Sequence, residues 1–386
     1  MQQSIKKHIV EAGLSEEPSI YTLIVDGNNL MKISGVCKKT SYTGIEYGML
    51  FEFMLQLKLM LRKKDFDFVY VMFDGQNSGQ LRYNFYPEYK ANRGKKFIQG
   101  GESDYFKTSR DFIHNLLSHK YKNKYEKREE KKSEEEIFAM QEGILKNMLE
   151  DLFIRSVSAD SVEGDDLISY YVRHKKPNEK IVIMSSDRDL TQLINETVCI
   201  YSFSKKIFIT DKNFKEQMGI PFENVVLYKT ICGDVSDNIK GIKGVKETTL
   251  ENLVPEIKER KMTLNEVIDK VKILHDKRSE EKKKPLQSIE NILNGITDGV
   301  QGEKVYEINE KIISLFTDEM MTKEAIQLLD DMMYAPLDPD GRDYKNISRL
   351  ISSYGLSDWN TPNKFAAFFG DFNRIKNKEI KYFYSN

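Results

Sequence analysis

Cysteine is scarce: Cys37, Cys199 and Cys232 are the only three in 386 residues. They are scattered, no pair has zinc-ligand spacing, and an odd count fits poorly with a disulfide framework. A reduced, cytoplasmic compartment is the expectation. Long apolar runs are missing too. No stretch approaches the ~18 residues of a membrane span. The polar N-terminus from Met1 to Glu17 lacks the apolar region of a signal peptide. The histidines (His8, His114, His119, His174 and His275) are dispersed and form no cluster. An excess of one charge is also absent. Lys plus Arg number 59, Asp plus Glu number 60, and the formal net charge is −1. The whole-chain value therefore gives no sign of a nucleic-acid partner, and any such preference must come from the distribution of charge.

Hydrophobic residues make up 40% and charged residues 31%. The first value is below the usual globular share and the second above it. Enough apolar sequence remains for a sizeable core between charge-rich surface segments. The length suits one large domain or two to three smaller ones. No internal repeat is evident.

Three short apolar runs read as strands: Thr22 to Val25, Phe68 to Phe73 and Ile181 to Met184. Each is followed at once, or within three residues, by an aspartate: Asp26, Asp74 and Asp187. The stretch 46–62 carries apolar residues at helical spacings and predicts a well-buried helix. Short strands separated by long, partly helical stretches point to a parallel α/β sheet. Ligands of such sheets bind beyond the carboxyl ends of the strands. Parallel strands would bring Asp26, Asp74 and Asp187 to one edge. Taken singly, Asp26-Gly27 and Asp74-Gly75 are also ordinary turn signals.

Further acids come in close groups. Residues 161–172 read as a helix start. Glu163 and Asp166, three apart, share a face. Asp165 lies about 100° round the helix and should reach the same pocket less directly. The macrodipole alone favours acids in a first helical turn. Asp187 and Asp189 would share a face if the strand continued. Asp234 and Asp237 are three apart in a glycine-rich turn. Nine carboxylates packed together would repel one another unless cations intervened. Hard divalent cations such as Mg²⁺ take oxygen ligands and keep several waters, and no His or Cys cluster favours zinc.

From Arg82 to Lys132 the chain holds 14 Lys plus Arg against 7 Asp plus Glu, interleaved with tyrosine and phenylalanine. Two readings fit: a solvated insertion, or a clamp with cations for phosphates and rings for bases. Short helices are expected at 212–218 and 222–232, a charged helical stretch at 251–290, and a further helical pattern after Tyr344.

The segments VDGNNL (25–30), FDG and YPEYKANR (73–75 and 86–93), VEGDDLI (162–168), SSDRDLTQL (185–193) and GDVSDNIKGIKGV (233–245) occur in one order. In that order they resemble the 5′ nuclease family. This family takes in the 5′ nuclease domain of bacterial DNA polymerase I, flap endonucleases and stand-alone phage enzymes of the ribonuclease H and 5′-exonuclease type. The resemblance covers about residues 20–250 and continues weakly to the C-terminal part.

It implies an α/β, PIN-like core with a mainly parallel sheet, a helical arch, a helix–three-turn–helix and a largely helical C-terminal part. The expected divisions are an N-terminal extension (1–18), the core (19–232, with the arch at 82–140), the DNA-binding region (233–300) and a helical region (301–386). Asp26, Asp74, Glu163, Asp165 and Asp166 match the family's first metal site. Asp187, Asp189, Asp234 and Asp237 match its second, with Asp187 between the two. Lys90 and Arg93 match the cations that contact the scissile phosphate. Tyr89 is expected to stack on a terminal base and Arg82 to contact a phosphate. Lys240, Gly241, Lys243, Gly244 and Lys246 would meet duplex phosphates. Lys246 stands where the family usually has glycine, and Leu250 replaces a usual small residue.

The resemblance therefore implies a structure-specific 5′ nuclease with two or more Mg²⁺ ions, which Mn²⁺ could replace. Its partners would be DNA with a 5′ flap, nick or 5′ end, RNA–DNA hybrids, and replication proteins such as a clamp or single-strand-binding protein. A monomeric, stand-alone enzyme of phage type is expected from the length. The alternative is a flap- or junction-binding replication accessory protein without turnover.

Overall fold

The run that starts at Ile20 forms the central strand of a six-stranded sheet. The computed structural model describes residues 19–93, 133–298 and 304–384. The strands of this sheet are β1 (Ile20–Asp26), β2 (Phe68–Met72), β3 (Arg155–Val157), β4 (Glu179–Met184), β5 (Val198–Ser202) and β6 (Ile207–Ile209). Their order is β3-β2-β1-β4-β5-β6. All pairings are parallel except β5 with β6. The chain first builds outward from β1 to β2 and β3, then returns to place β4 on the other side of β1. The order thus reverses between β1 and β4, where open sheets leave a crevice beyond the strand ends.

Both faces of the sheet are covered, and side chains alternate along each strand. Leu23, Val25, Val69, Val71, Val182 and Met184 enter one apolar cluster. Ile20, Ile24, Phe68, Tyr70, Met72, Ile181 and Ile183 enter another on the opposite face. This double burial explains why the strands read as near-continuous apolar runs.

The helices in chain order are α1 (Gly27–Ser34), α2 (Gly48–Lys63), α3 (Gln80–Phe85), α4 (Glu134–Asp151), α5 (Gly164–His174), α6 (Phe214–Met218), α7 (Val225–Cys232), α8 (Glu247–Leu253), α9 (Leu264–Glu280), α10 (Gln287–Leu293), α11 (Lys304–Ile313), α12 (Lys323–Met332), α13 (Tyr344–Tyr354), α14 (Pro362–Phe369) and α15 (Asn373–Tyr384). Helix α2 is buried along Leu50, Phe53, Met54 and Leu57. Helix α4 opens with a capping box of Ser133 and Glu136, which satisfies two of its free backbone amides.

A third apolar cluster lies beyond the sheet. It joins Leu227, Tyr228 and Ile231 of α7 with Leu250 of α8, Val267 and Val271 of α9, Ile289 and Ile292 of α10, and Val305 and Tyr306 of α11. Leu250 is fully buried there, so the larger side chain fills core rather than facing a ligand. A two-stranded ribbon, β7 (Gly233–Asp234) and β8 (Ile239–Lys240), links this unit to the sheet edge.

The C-terminal stretch is helical but does not form one body. Met321 and Leu329 pack on the α5 face of the sheet. Ile347, Ile351, Trp359, Phe369 and Phe372 pack with α2 and α4 instead. Arg155 of β3 and Glu379 of α15, both buried, form a two-pronged ion pair at 2.9 and 3.1 Å. Among the described residues no helix is long and apolar enough to cross a membrane.

Candidate metal and nuclease site

The expected edge exists. Asp26 ends β1, Asp74 follows β2 and Asp187 follows β4, and all three line one cleft with Glu163, Asp165, Asp189, Asp234 and Asp237. The Asp26-Gly27 pair is not a turn, however. Asp26 is the N-cap of α1, with Oδ1 accepting from the Asn29 amide at 3.0 Å. Its Oδ2 accepts from Ser185 Oγ at 2.7 Å. Burial pushes the Asp26 carboxyl up to about 7 against those hydrogen bonds, and the charges of Asp187 and Asp74 push the same way.

The asparagines after Asp26 set the neighbouring strand ends. Asn28 Oδ1 accepts from the Asp74 amide at 2.7 Å. Asn29 Oδ1 accepts from the Ser186 amide at 3.1 Å. Asp74 Oδ1 accepts from the Gly164 amide at 2.9 Å and so fixes the start of α5. The Gly75 backbone comes so close to Ala159 that a Cβ there would sit 1.6 Å from its carbonyl oxygen. That closeness, rather than a free turn, demands glycine.

The α5 acids differ from the expected arrangement. Glu163 is the N-cap in extended conformation, and the helix begins at Gly164. Counting round a helix from Glu163 therefore misplaces the next residues. Asp165 faces the cleft. Asp166 turns to Arg82, whose Nη1 and Nη2 reach its two carboxylate oxygens at 2.6 and 2.8 Å. Asp165, expected to act less directly, is the nearer acid. Burial raises its carboxyl well above the usual range, and Asp26, Asp187, Glu163 and Asp74 add repulsion.

Glu163 is held by three donors. Arg82 Nη1 lies at 2.7 Å, the Tyr89 hydroxyl donates at 2.8 Å, and Lys90 Nζ makes a close ion pair. Burial opposes ionisation, but Lys90 and Arg82 hold the carboxyl down at about 2. Two expectations change here. Arg82 is 4% exposed and also donates to the Ile312 carbonyl, so it is an internal brace rather than a surface phosphate contact. Tyr89 is 2% exposed, so its ring has no open face for a base. Neither burial could be read locally, because the partners lie more than 70 residues away.

The second group is built by the 3-10 turn at Asp189–Leu193 and by the ribbon. The strand does not continue past Met184, so Asp187 and Asp189 are related by a turn in which Asp187 Oδ1 accepts from the Asp189 amide at 2.9 Å. One carboxylate oxygen each of Asp189, Asp234 and Asp237 fall within 4.8 Å of one another. Lys229 of α7 joins this group: Nζ is 2.6 Å from Asp234 Oδ2 and also contacts Asp189. Burial raises the Asp189 carboxyl to about 6 in spite of Lys229, with Asp187 adding to the rise. Lys229 holds Asp234 below the ordinary value against the effect of burial.

The segment around Glu88 and Lys90 is fastened to the ribbon. The Lys90 amide donates to the Asp237 carbonyl at 2.9 Å, and Asn238 Nδ2 donates to the Glu88 carbonyl at 2.7 Å. Arg93 ends a 3-10 turn, Ala91–Arg93. Residues 94–132 of the expected arch lie outside the described residues. Of the duplex-facing candidates, Lys240 pairs with Glu88 at 3.1 Å and Lys243 with Asp298 at 3.1 Å, all on exposed side chains. Gly241 packs against Cys232, where a Cβ would meet the backbone at 2.1 Å. Gly244 has a positive φ of 76° in open space. Lys246 is exposed at the N-cap of α8.

The donors fit hard divalent cations. They are carboxylate oxygens, they converge from several elements, and Asp26, Asp165 and Asp189 are pushed towards protonation by burial first and by their acidic neighbours second. Sequence reasoning missed Lys229, Ser185, Asn28, Asn29 and Lys32. The five-residue spacing of Lys229 from Asp234 was the only local signal for it, and a lysine on a partly exposed helix is ordinarily a solvated charge.

This fold and acidic site make a candidate divalent-cation centre, and residues 21–219 match the family described as 5′-3′ exonuclease, N-terminal resolvase-like domain. The chain belongs to the 5′-3′ exonuclease family. It is 30% identical over 270 residues to a 5′-3′ exonuclease of Mycoplasma pneumoniae, covering 67% of this chain and 80% of that one. It is 28% identical over 188 residues to the Buchnera aphidicola 5′-3′ exonuclease, covering 48% of this chain and 60% of that enzyme. Against the thermostable DNA polymerase I of Thermus thermophilus it is 27% identical over 243 residues, 62% of this chain and 24% of the polymerase. Thus the chain spans well under two thirds of some relatives it matches. The T5 5′-exonuclease with divalent metal ions (zinc) bound has the same fold, with a TM-score of 0.52, 18% identity, and coverage of 92% of this chain and 99% of that one.

Proposed function

We propose that the chain is a divalent-metal-dependent 5′-3′ exonuclease and flap endonuclease that leaves 5′ phosphates. The observation that carries this reading is the convergence of Asp26, Asp74, Asp165, Asp187, Asp189, Asp234 and Asp237 on one cleft beside Lys90. Metal ions bound by these acids would supply an activated water and offset charge on the scissile phosphate. Asp26, Asp74, Glu163 and Asp165 would hold one ion, and Asp189, Asp234 and Asp237 another, with Asp187 between them. Asp166 would act on the first group through Arg82. We take Mg²⁺ as the working ion, with Mn²⁺ as a substitute, because every donor is a carboxylate.

The protein's own cations complete the chemistry. Lys90 is tied to Glu163 without substrate, and a phosphate in the cleft competes for its ammonium. Lys90 and Arg93 then steady charge that grows on the phosphate in the transition state. Lys240, Lys243 and Lys246, with the backbone of Gly241 and Gly244, hold the duplex by its phosphates. The substrates are DNA with a 5′ end, nick or 5′ flap, and RNA–DNA hybrids of the same shape. The enzyme works as a monomer, with a clamp or single-strand-binding protein as its replication partner.

The test uses labelled 5′-flap and nicked duplexes with Mg²⁺. Asp187→Asn should still bind the flap but cut it at least ~100-fold more slowly, the scale of a lost electrostatic group at the reacting centre. Equal cutting by that variant overturns the assignment of the site.

A further inference from the structure

The face of α1 that looks into the cleft carries Asn28, Asn29 and Lys32. Lys32 is four residues from Asn28 and three from Asn29, so it shares a helical face with each. Asn28 and Asn29 are committed to the backbone beyond β2 and β4. Lys32 lies one turn further along. It is exposed, and its side chain has no carboxylate or hydrogen-bond partner among the described residues.

That lack is unusual in this setting. Three other cations at the site are engaged: Arg82 with Glu163 and Asp166, Lys90 with Glu163, and Lys229 with Asp189 and Asp234. The acid closest to Lys32 in sequence, Asp26, already accepts from Ser185 and from the α1 backbone. A lysine lining a cleft of eight carboxylates would collapse onto one of them if it served only to neutralise the site. Its exposed ammonium instead remains available to an incoming anion. In a cleft that takes a phosphodiester chain, a compact point charge of this kind suits a backbone phosphate.

We propose that Lys32 grips a phosphate of the substrate strand next to the scissile one. It is a substrate-contact residue that enters from α1, whereas Lys90 enters from the arch base. This rests on the nuclease reading above. The contact adds affinity and register and leaves the chemical step nearly untouched.

The experiment compares the full-length wild type, Lys32→Ala and Lys32→Arg on one 5′-flap DNA. Flap affinity is followed by fluorescence anisotropy without divalent ions between 50 and 200 mM salt. Cleavage is then measured with Mg²⁺ under single-turnover conditions. Loss of one phosphate contact should lower the slope of log Kd against log salt by about 0.7–0.9. KM should rise roughly tenfold, the size of one charge-assisted hydrogen bond, while the saturating rate changes less than about threefold. Lys32→Arg should restore the slope. A wild-type slope in Lys32→Ala overturns the proposal, as does a rate loss at saturation with KM unchanged. A wild type that binds but never cuts sinks the nuclease reading instead, while the salt slope still judges the Lys32 contact.

Discussion

The ammonium of Lys229 lies 2.6 Å from Asp234 Oδ2 and touches Asp189 too, inside the acids best placed for a second cation. Without a divalent ion the protein supplies its own counter-charge there. Lys229→Met should therefore lower the thermal stability of the metal-free protein, by about 2 kcal/mol for a half-buried pair. The same change removes a competitor and should tighten Mn²⁺ binding in calorimetry. Weaker Mn²⁺ binding with unchanged stability would contradict this role.

Asp165 is the mirror case, an acid crowded by Asp26, Asp187, Glu163 and Asp74. Removing its charge should relieve repulsion. Asp165→Asn is expected to raise the melting temperature in EDTA. Mg²⁺ at one hundred times its dissociation constant should stabilise the wild type by about 2.7 kcal/mol and the variant by much less. A lower melting temperature for Asp165→Asn in EDTA would show that repulsion is not the dominant effect.

Asp358 gives a pH test far from the site. It accepts from the Tyr47 hydroxyl at 2.5 Å and pairs with Lys39 at 3.0 Å, anchoring the segment after α13 to the start of α2. Burial opposes ionisation, but Tyr47 and Lys39 hold its carboxyl below the ordinary value. The folded state thus binds this proton less readily than the unfolded chain. The resulting stability is present above the unfolded pKa of about 3.9 and is lost as pH falls through the folded value. Asp358→Asn should cost about 1 kcal/mol at pH 7, discounted for partial exposure. Thermal melts of the two proteins should converge towards pH 3, and a constant gap from pH 7 to pH 3 would refute the linkage.

Much of this was legible in the sequence where information is local. Asp26, Asp74 and Asp187 sit where apolar runs end, and parallel pairing brings such ends together. The order of the motifs supplied the other acids. Asp165 and Asp166 exchanged places because the helix starts one residue after Glu163, a backbone detail that periodicity does not carry. Arg82 and Tyr89 read as exposed contacts, yet their partners come from a helix start more than 70 residues on. The C-terminal aromatics gave no hint of their role. Trp359, Phe369 and Phe372 become core only through packing on α2 and α4.

The Arg155–Glu379 pair shows how firmly that tail is tied. Both side chains are at most 1% exposed. Glu379→Ala leaves a buried guanidinium without its partner and should cost about 3–5 kcal/mol in urea unfolding. A loss below about 1 kcal/mol would mean that α15 is dispensable to the core.

The most direct measurement of the central claim is the fate of a 5′-flap duplex whose ends are mapped after incubation with the full chain. The expected result is cleavage near the junction that requires Mg²⁺ or Mn²⁺, stops in EDTA, and leaves a 5′ phosphate that a ligase can seal. Tight flap binding with no cut strand in either metal would contradict it, and would make the chain a junction-binding accessory protein.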